Sequence, residues 1–157
     1  MRKYVVMTLF IVFIFLIYMY FSNSQENYKA MEYDKIEDAV EKLSFEAMTP
    51  TFVPNNVEKV KAYIHVYNNI QTLFEIQYQN ENNEQVFWLY ASESEELYLS
   101  EDEQWERVDL QGTEGHFTVS LETNTSKLLW LMNGIEYSVQ SKILGKEELI
   151  KIAQSIQ

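Results

Sequence analysis

The sequence is poor in the residues that most often carry chemistry. Its 157 residues include no cysteine, two histidines, two prolines and four glycines. The lack of cysteine excludes disulfides, thiol catalysis and cysteine-bound metal. His65 and His116 each lie alone in an alternating stretch, and no glycine-rich phosphate loop, HExxH, GxSxG or calcium-loop pattern is present. The pattern therefore predicts a protein that binds without catalysis, with no cofactor and no metal.

Positive charge is also scarce. The chain has 12 Lys and Arg against 24 Asp and Glu, which gives a net charge of −12. This excess repels the phosphates of nucleic acids and anionic membrane surfaces, so we expect no nucleic-acid partner. Acidic residues cluster at 93–96 and 101–103. Such clusters can hold Ca²⁺, but the regular ligand spacing is missing, and solvated charge beside a sheet edge is the favoured interpretation.

The chain opens with one long hydrophobic run. The 18 residues from Tyr4 to Phe21 carry no charge, and as a helix they would span about 27 Å, close to the thickness of a bilayer core. Arg2 and Lys3 precede them and favour a cytoplasmic N-terminus. We therefore predict a signal anchor at residues 1–21, with the membrane contacted through residues 4–21 and the rest of the chain outside the cell. The alternative is a cleaved signal peptide and a secreted protein.

The region after this run divides into a linker and a domain. Residues 22–33 are polar and are interpreted as a linker, within which Ser24 marks the place where a signal peptide would be cut. Residues 34–157 are predicted to form an extracytoplasmic α+β domain. Its first element is a helix from Asp34 to Leu43, because Asp34 and Glu37 have the spacing of a capping box.

The middle of the domain alternates apolar and polar residues, which is typical of β-strands. Seven or eight antiparallel strands are expected, including a short strand at Leu97–Leu99. Val86–Ala91 is apolar at successive positions, which favours a central strand covered on both sides. Asn133 and Gly134 separate two strand-like runs and predict a tight hairpin, since both residues tolerate a positive φ.

An amphipathic helix is predicted after Gly145. One apolar stripe runs along it at i, i+3, i+4 and i+7, formed by Leu149, Ile152, Ala153 and Ile156. The expected fold is thus an N-terminal transmembrane helix followed by a curved antiparallel β-sheet flanked by an N-terminal and a C-terminal helix.

Aromatic residues on the predicted strands are the candidate ligand-binding residues. If the sheet is curved, Tyr63, Trp88 and Trp130 could line an apolar cleft for a lipid or a peptide. The alternative is that they pack in the core against the helices, as aromatic residues in strands commonly do.

Several short motifs resemble a known family. They are Phe45-x-x-Met48-x-Pro50-x-Phe52-x-Pro54, Gly112-x-x-Gly115 with Phe117, Leu129-Trp130-x-x-Asn133-Gly134-x-x-Tyr137 and Glu148-Leu149-x-x-Ile152-Ala153-x-Ser155-Ile156. From Leu43 to Ile156 the chain is similar to a domain-of-unknown-function family of extracytoplasmic lipoproteins and anti-sigma-factor-like membrane proteins in Gram-positive, often spore-forming, bacteria. Gly145 departs from the pattern, because the family tends to have Ser or Thr there.

The resemblance implies an extracytoplasmic domain whose sheet is similar in outline to half-barrel lipoprotein carriers. It assigns no catalytic residue. Two functions are expected from the residues and the resemblance together. The first is a membrane-anchored binding or sensor domain that contacts an envelope protein through an exposed sheet face or edge. The alternative is a carrier that holds a lipophilic ligand, such as a lipid, in the curved sheet.

Overall fold

The computed structural model describes residues 27–156. The predicted signal anchor and the possible cleavage position near Ser24 lie outside these residues. Within residues 27–156, no helix has the length and apolar character needed to cross a membrane.

The described chain forms one antiparallel sheet of eight strands and two short helices, which confirms the predicted α+β class. The elements in chain order are β1 (Tyr28–Tyr33), α1 (Ile36–Val40), β2 (Lys59–Tyr67), β3 (Ile70–Gln79), β4 (Gln85–Glu93), β5 (Glu106–Leu110), β6 (Thr113–Ser120), β7 (Thr125–Met132), β8 (Ile135–Ser141) and α2 (Lys146–Gln154). The sheet is open, with β1 at one edge and β5 at the other.

The strand order divides the sheet into two halves. It is β1-β2-β3-β4-β8-β7-β6-β5, so that four sequential strands form a meander on each side and β4 pairs with β8 in the middle. The connection from β4 to β5, residues 94–105, must therefore pass from the centre of the sheet to its far edge. That path covers four interstrand steps, about 19 Å at ~4.8 Å per step.

Tight turns close the hairpins at residues that accept a left-handed backbone. Asn133 and Gly134 have φ of 55° and 77°, which confirms the hairpin expected there, since a type I′ turn needs positive φ at both central residues. Asn68 and Asn69, with φ of 50° and 66°, make the equivalent turn between β2 and β3. These turns fix the register of their strand pairs.

One face of the sheet, the core face, is buried beneath both helices and the segment 41–57. Its side chains alternate with those of the opposite face along each strand. The fully buried members include Ile64, Phe74, Ile76, Phe87, Leu89, Leu128, Trp130, Tyr137 and Val139. The C-terminal helix adds Leu149, Ile152 and Ala153 from its apolar stripe, as predicted.

Helix α2 begins without a side-chain cap from its N-cap residue. Gly145 occupies the N-cap and has no side chain to donate or accept. The Glu148 carboxylate instead accepts a hydrogen bond of 3.1 Å from the Gly145 backbone N–H. Glu147 and Glu148 also place negative charge in the first turn, where the helix dipole favours it.

Four local expectations differ from the structure. Residues 28–33 of the predicted linker form the edge strand β1, because the short polar stretch gains backbone hydrogen bonds from β2. The first helix is shorter than predicted, and its N-cap is Lys35 without a side-chain hydrogen bond, so Asp34 makes no capping box. Leu97–Leu99 is not a strand. Strand β4 is central, but Trp88 on its other face is only half-buried.

Two tyrosines on the core face differ in whether their hydroxyl groups are hydrogen-bonded. The Tyr137 hydroxyl accepts a hydrogen bond of 3.0 Å from the Met48 backbone N–H and so holds the segment 41–57 on the sheet. The Tyr78 ring stacks on Phe87, with 4.0 Å between centroids. Its hydroxyl is buried without a hydrogen-bond partner among the described residues.

The same substitution should destabilise the protein at Tyr137 but not at Tyr78. Tyr78→Phe removes an unpaired buried hydroxyl while keeping the stacked ring, so we expect a free energy of unfolding that is unchanged or higher by about 1 kcal/mol. Tyr137→Phe leaves the Met48 N–H without its partner and should cost about 1–3 kcal/mol. Urea unfolding of the full-length protein in a mild detergent, followed by tryptophan fluorescence, measures both. A loss at Tyr78 as large as at Tyr137 would contradict the assignment.

Candidate functional site

The face opposite the core, the open face, carries a row of side chains that crosses all eight strands. Neighbouring members are directly opposite one another in the strand register. From β1 to β5 they are Glu32, Tyr63, Glu75, Tyr90, Ser138, Leu129, His116 and Arg107. The row mixes aromatic, acidic, hydroxyl and basic groups, whereas the core face is mostly apolar. The open face is therefore where a binding site is expected.

Residues 94–105, here called the crossing loop, pass over this face. The Ser94 backbone N–H donates to the Gly134 carbonyl at 3.0 Å, which ties the start of the loop to the β7–β8 turn. Near the other end, the Trp105 indole N–H donates to the Ser100 carbonyl at 3.0 Å. Between these points the Glu103 carboxylate pairs with the Lys127 ammonium on β7 at 2.6 Å. The pair is mostly buried, with exposures of 19% and 25%.

Two shallow pockets lie between the crossing loop and the open face, and together they are here called the groove. The first, here called the Trp88 half, has a volume of about 400 Å³. The second, the Trp105 half, has a volume of about 330 Å³ and is also lined by Leu73, Tyr98 and Leu129. Both parts are lined by Tyr90, Gln140 and the pair Glu103–Lys127. The ion pair thus lies where the two parts meet.

The three predicted ligand-binding residues do not share one cleft. Trp88 lines the Trp88 half of the groove. Tyr63 also lies on the open face, but on β2, two strands away from Trp88. Trp130 lies on the core face, where it is 1% exposed and stacks on Tyr137 with 5.3 Å between centroids. A ligand could reach Trp130 only if the core repacked.

Other groove residues were missed by sequence reasoning. Tyr90 was noted as a strand aromatic and Glu103 as part of an acidic cluster, whereas Lys127 and Gln140 were not singled out. Lys127 and Gln140 face each other across the β7–β8 hairpin, whereas their approach to Trp88 and Tyr90 depends on the β4–β8 pairing, which no local pattern encodes. The alternation along β7 does place Lys127 and Leu129 on one face and Leu128 on the other, and this signal was available.

A second polar cluster lies on the open face near the β1 edge. His65 Nε2 is 2.8 Å from the Glu75 carboxylate, and both side chains are largely buried. The Tyr28 hydroxyl is 2.5 Å from His65 Nδ1, and the Gln77 amide donates to Glu75 at 2.7 Å. This chain of hydrogen bonds fastens the edge strand β1 to β2 and β3. His116 on β6 has a simpler partner, Glu114, at 3.1 Å.

The described residues give no indication of a metal centre. No group of three or more His, Asp or Glu side chains in residues 27–156 is arranged to hold a metal ion. Of the acidic residues in the crossing loop, Glu103 pairs with Lys127.

Tyr90 is the groove residue with the most perturbed acidity. Burial raises its pKa from the ordinary 10 to about 12, and the negative charge of Glu75, its neighbour across the strand, adds to the effect. Burial likewise raises the pKa of Tyr63. At neutral pH both phenols are protonated, so each can donate a hydrogen bond to a ligand.

The fold and the groove define an α+β domain whose open sheet face is crossed by a single loop. Residues 47–156 match the family described as Domain of unknown function (DUF4367), and the chain belongs to that family. This confirms the resemblance to a domain-of-unknown-function family. Strand β1 and helix α1 precede the matched residues. No curated protein and no solved structure matches the chain.

The ion pair between the crossing loop and β7 should control how often the loop opens. Glu103→Gln removes one charge of the pair, so hydrogen exchange of the 94–105 amides should become faster by about fivefold, equivalent to ~1 kcal/mol. Glu101→Gln is the matched control, because Glu101 lies on the same loop, is exposed and makes no ion pair among the described residues. Equal acceleration in both variants would show that the pair does not hold the loop.

The raised pKa of Tyr90 predicts a specific alkaline behaviour. A folded-state pKa of about 12 against 10 for an ordinary tyrosine means that the folded protein holds this proton more tightly. The resulting stabilisation is complete below pH 10 and is lost as the pH rises through about 12. Tyr90→Phe should therefore lose less stability than the parent over this range. Urea unfolding at several pH values tests this, and equal losses in both proteins would contradict it.

Proposed function

We propose that this chain is a single-pass membrane protein whose domain faces outward and binds or senses a component of the cell envelope without catalysis. The groove on the open face is the observation that carries the proposal. It combines half-buried aromatic rings with polar groups that can orient a ligand, which is the usual composition of a binding site. An envelope protein is the expected partner. The proposal includes a kinship to extracytoplasmic lipoproteins and anti-sigma-factor-like membrane proteins, as the resemblance of the sequence motifs implies.

The apolar run at residues 4–21 supports the anchored arrangement, with the N-terminus in the cytoplasm. Strand β1 begins at Tyr28, so the edge of the sheet follows closely in sequence on the proposed anchor. The polar cluster of Tyr28, His65 and Glu75 fastens this edge to the rest of the sheet. A mechanical force or a binding event at the membrane would therefore act on the sheet through strand β1.

The crossing loop supports a sensing role. It contacts the open face through the pair Glu103–Lys127, and a ligand in either part of the groove would touch one or both of these side chains. Occupancy of the groove would thus alter the position or the stability of the loop, whose Tyr98 is 79% exposed and available to a partner. Such a loop turns ligand binding into a change at the surface.

A carrier of a lipophilic ligand is the second candidate. The Trp105 half favours it, because Leu73, Tyr98, Trp105 and Leu129 give that part of the groove apolar walls. In this proposal the sheet curves as a half-barrel around the ligand. Because Trp130 is buried in the core, such a ligand would lie on the open face in this proposal, away from the layer between sheet and helices.

Labelling of introduced cysteines tests where the domain lies and whether the groove is occupied. The natural chain has no cysteine, so each introduced one is unique. Thr123→Cys lies at the Trp88 half, Tyr98→Cys lies at the Trp105 half, and Phe52→Cys lies in the segment that covers the core face. With a membrane-impermeant maleimide on intact cells, we expect Phe52→Cys to react fully and at least one groove position to react several-fold more slowly. All three should react in the purified full-length protein.

The other outcomes separate the alternatives. Reaction of Phe52→Cys only after the cells are permeabilised would overturn the outward orientation. Equal reaction of all three positions in intact cells would overturn a groove-bound partner. Slow reaction of Tyr98→Cys that persists after purification, together with a lipid-sized adduct in native mass spectrometry, would favour the carrier.

A further inference from the structure

The two parts of the groove differ in chemistry. The Trp105 half has several apolar side chains, whereas the Trp88 half has two aromatic residues, Trp88 and Tyr90, surrounded by polar groups. The uncharged members of this polar rim are Gln140, Ser120, Thr123 and Thr125. Aromatic rings within a rim of amides and hydroxyls match a ligand that has both flat C–H surfaces and many hydroxyl groups.

The charges around the Trp88 half balance. Lys127 and Lys142 face the acidic side chains of Glu103 and Glu122, although the chain as a whole has a net charge of −12. Lys127 is already neutralised by Glu103 at 2.6 Å. A strongly anionic or cationic ligand would find no excess of opposite charge here, so the local electrostatics favour a neutral one.

The backbone beneath the groove is not available to a ligand. Strands β4, β8 and β7 each have a neighbour on both sides, so their N–H and C=O groups are used within the sheet. A peptide that binds to a sheet usually pairs with an edge strand through its own backbone. In the Trp88 half, recognition must come from side chains alone, which disfavours an extended peptide.

We infer that the Trp88 half binds a sugar unit of a neutral oligosaccharide. The face of the sugar ring packs on the indole of Trp88, and its hydroxyl groups exchange hydrogen bonds with the Gln140 amide and the polar rim. The Tyr90 phenol, protonated at neutral pH, serves as a further donor. This inference rests on the proposed function and specifies the chemical class of the ligand that binds in the groove. The envelope protein would be a separate partner that contacts the crossing loop.

The three tryptophans of the chain allow a direct test, because they occupy three different places. Trp88 lies in one half of the groove, Trp105 lies in the other, and Trp130 lies in the core. The full-length protein, labelled with 5-fluorotryptophan and kept in a mild detergent, is titrated with chitotetraose, cellotetraose and maltotetraose. We expect at least one of these to shift the Trp88 fluorine signal saturably, with a Kd of about 1 mM or below, while the Trp130 signal stays unchanged.

Variants show whether the aromatic ring is responsible. Calorimetric titration of Trp88→Ala should show binding about tenfold weaker, whereas Trp88→Phe should retain most of it. Phe52→Ala is the matched control, because it truncates a partly exposed aromatic residue in the segment that covers the core face, outside the groove, and it should leave the affinity unchanged. An unaltered Trp130 signal in each variant confirms that the core is intact.

The remaining outcomes are distinguishable. The inference is overturned if none of the three oligosaccharides shifts the Trp88 signal. It is also overturned if the Gln140→Ala variant shows the same Trp88 shift as the parent protein and, in addition, Trp88→Ala binds the oligosaccharide as tightly as the parent. A Trp88 shift with a pool of neutral tetrapeptides alone would replace the sugar by a peptide. A Trp105 shift with lysophosphatidylcholine alone would favour the carrier. In each case the cysteine labelling in cells shows independently whether the groove is occupied. Failure of the oligosaccharide inference can therefore be distinguished from failure of the proposed function.

Discussion

The pairing of β4 with β8 is the constraint on which the rest of the molecule depends. It joins two four-stranded meanders and leaves β5 at the far edge, so the chain between β4 and β5 has no short path. Residues 94–105 must cross three strands, and they do so on the face that the helices leave open. The groove, the Glu103–Lys127 pair and the exposure of Tyr98 all result from this single long connection.

Local chemistry made most of the sheet predictable from the sequence. Strands β2, β3 and β6 to β8 alternate clearly, and Asn133-Gly134 supplies the positive φ that a two-residue hairpin needs. The C-terminal helix follows from its apolar stripe. Strand β1 escaped prediction because it is a short edge strand with an exposed, polar sequence, and such a strand is stabilised by pairing with β2 rather than by its own composition.

The candidate site was less predictable, for a physical reason. Alternation tells which residues share a face within one strand, but it does not tell which face of the sheet the helices cover. Trp88 and Trp130 both looked like strand aromatics, yet the first lines the groove and the second is packed against Tyr137. Trp88 and Tyr90 on β4 meet Gln140 only because β4 pairs with β8, and that pairing is a contact between distant parts of the chain.

The seam between the two meanders also has a consequence for folding. Each meander brings together residues close in sequence, whereas β4 and β8 are far apart and their pairing closes a long loop, which is entropically costly and slow. The groove lies above this seam, with Tyr90 on one side of it and Gln140 on the other. A chain in which β4 and β8 have not yet paired therefore lacks the wall that Trp88 and Tyr90 form, and a ligand that contacts both sides of the seam would stabilise the fully assembled sheet.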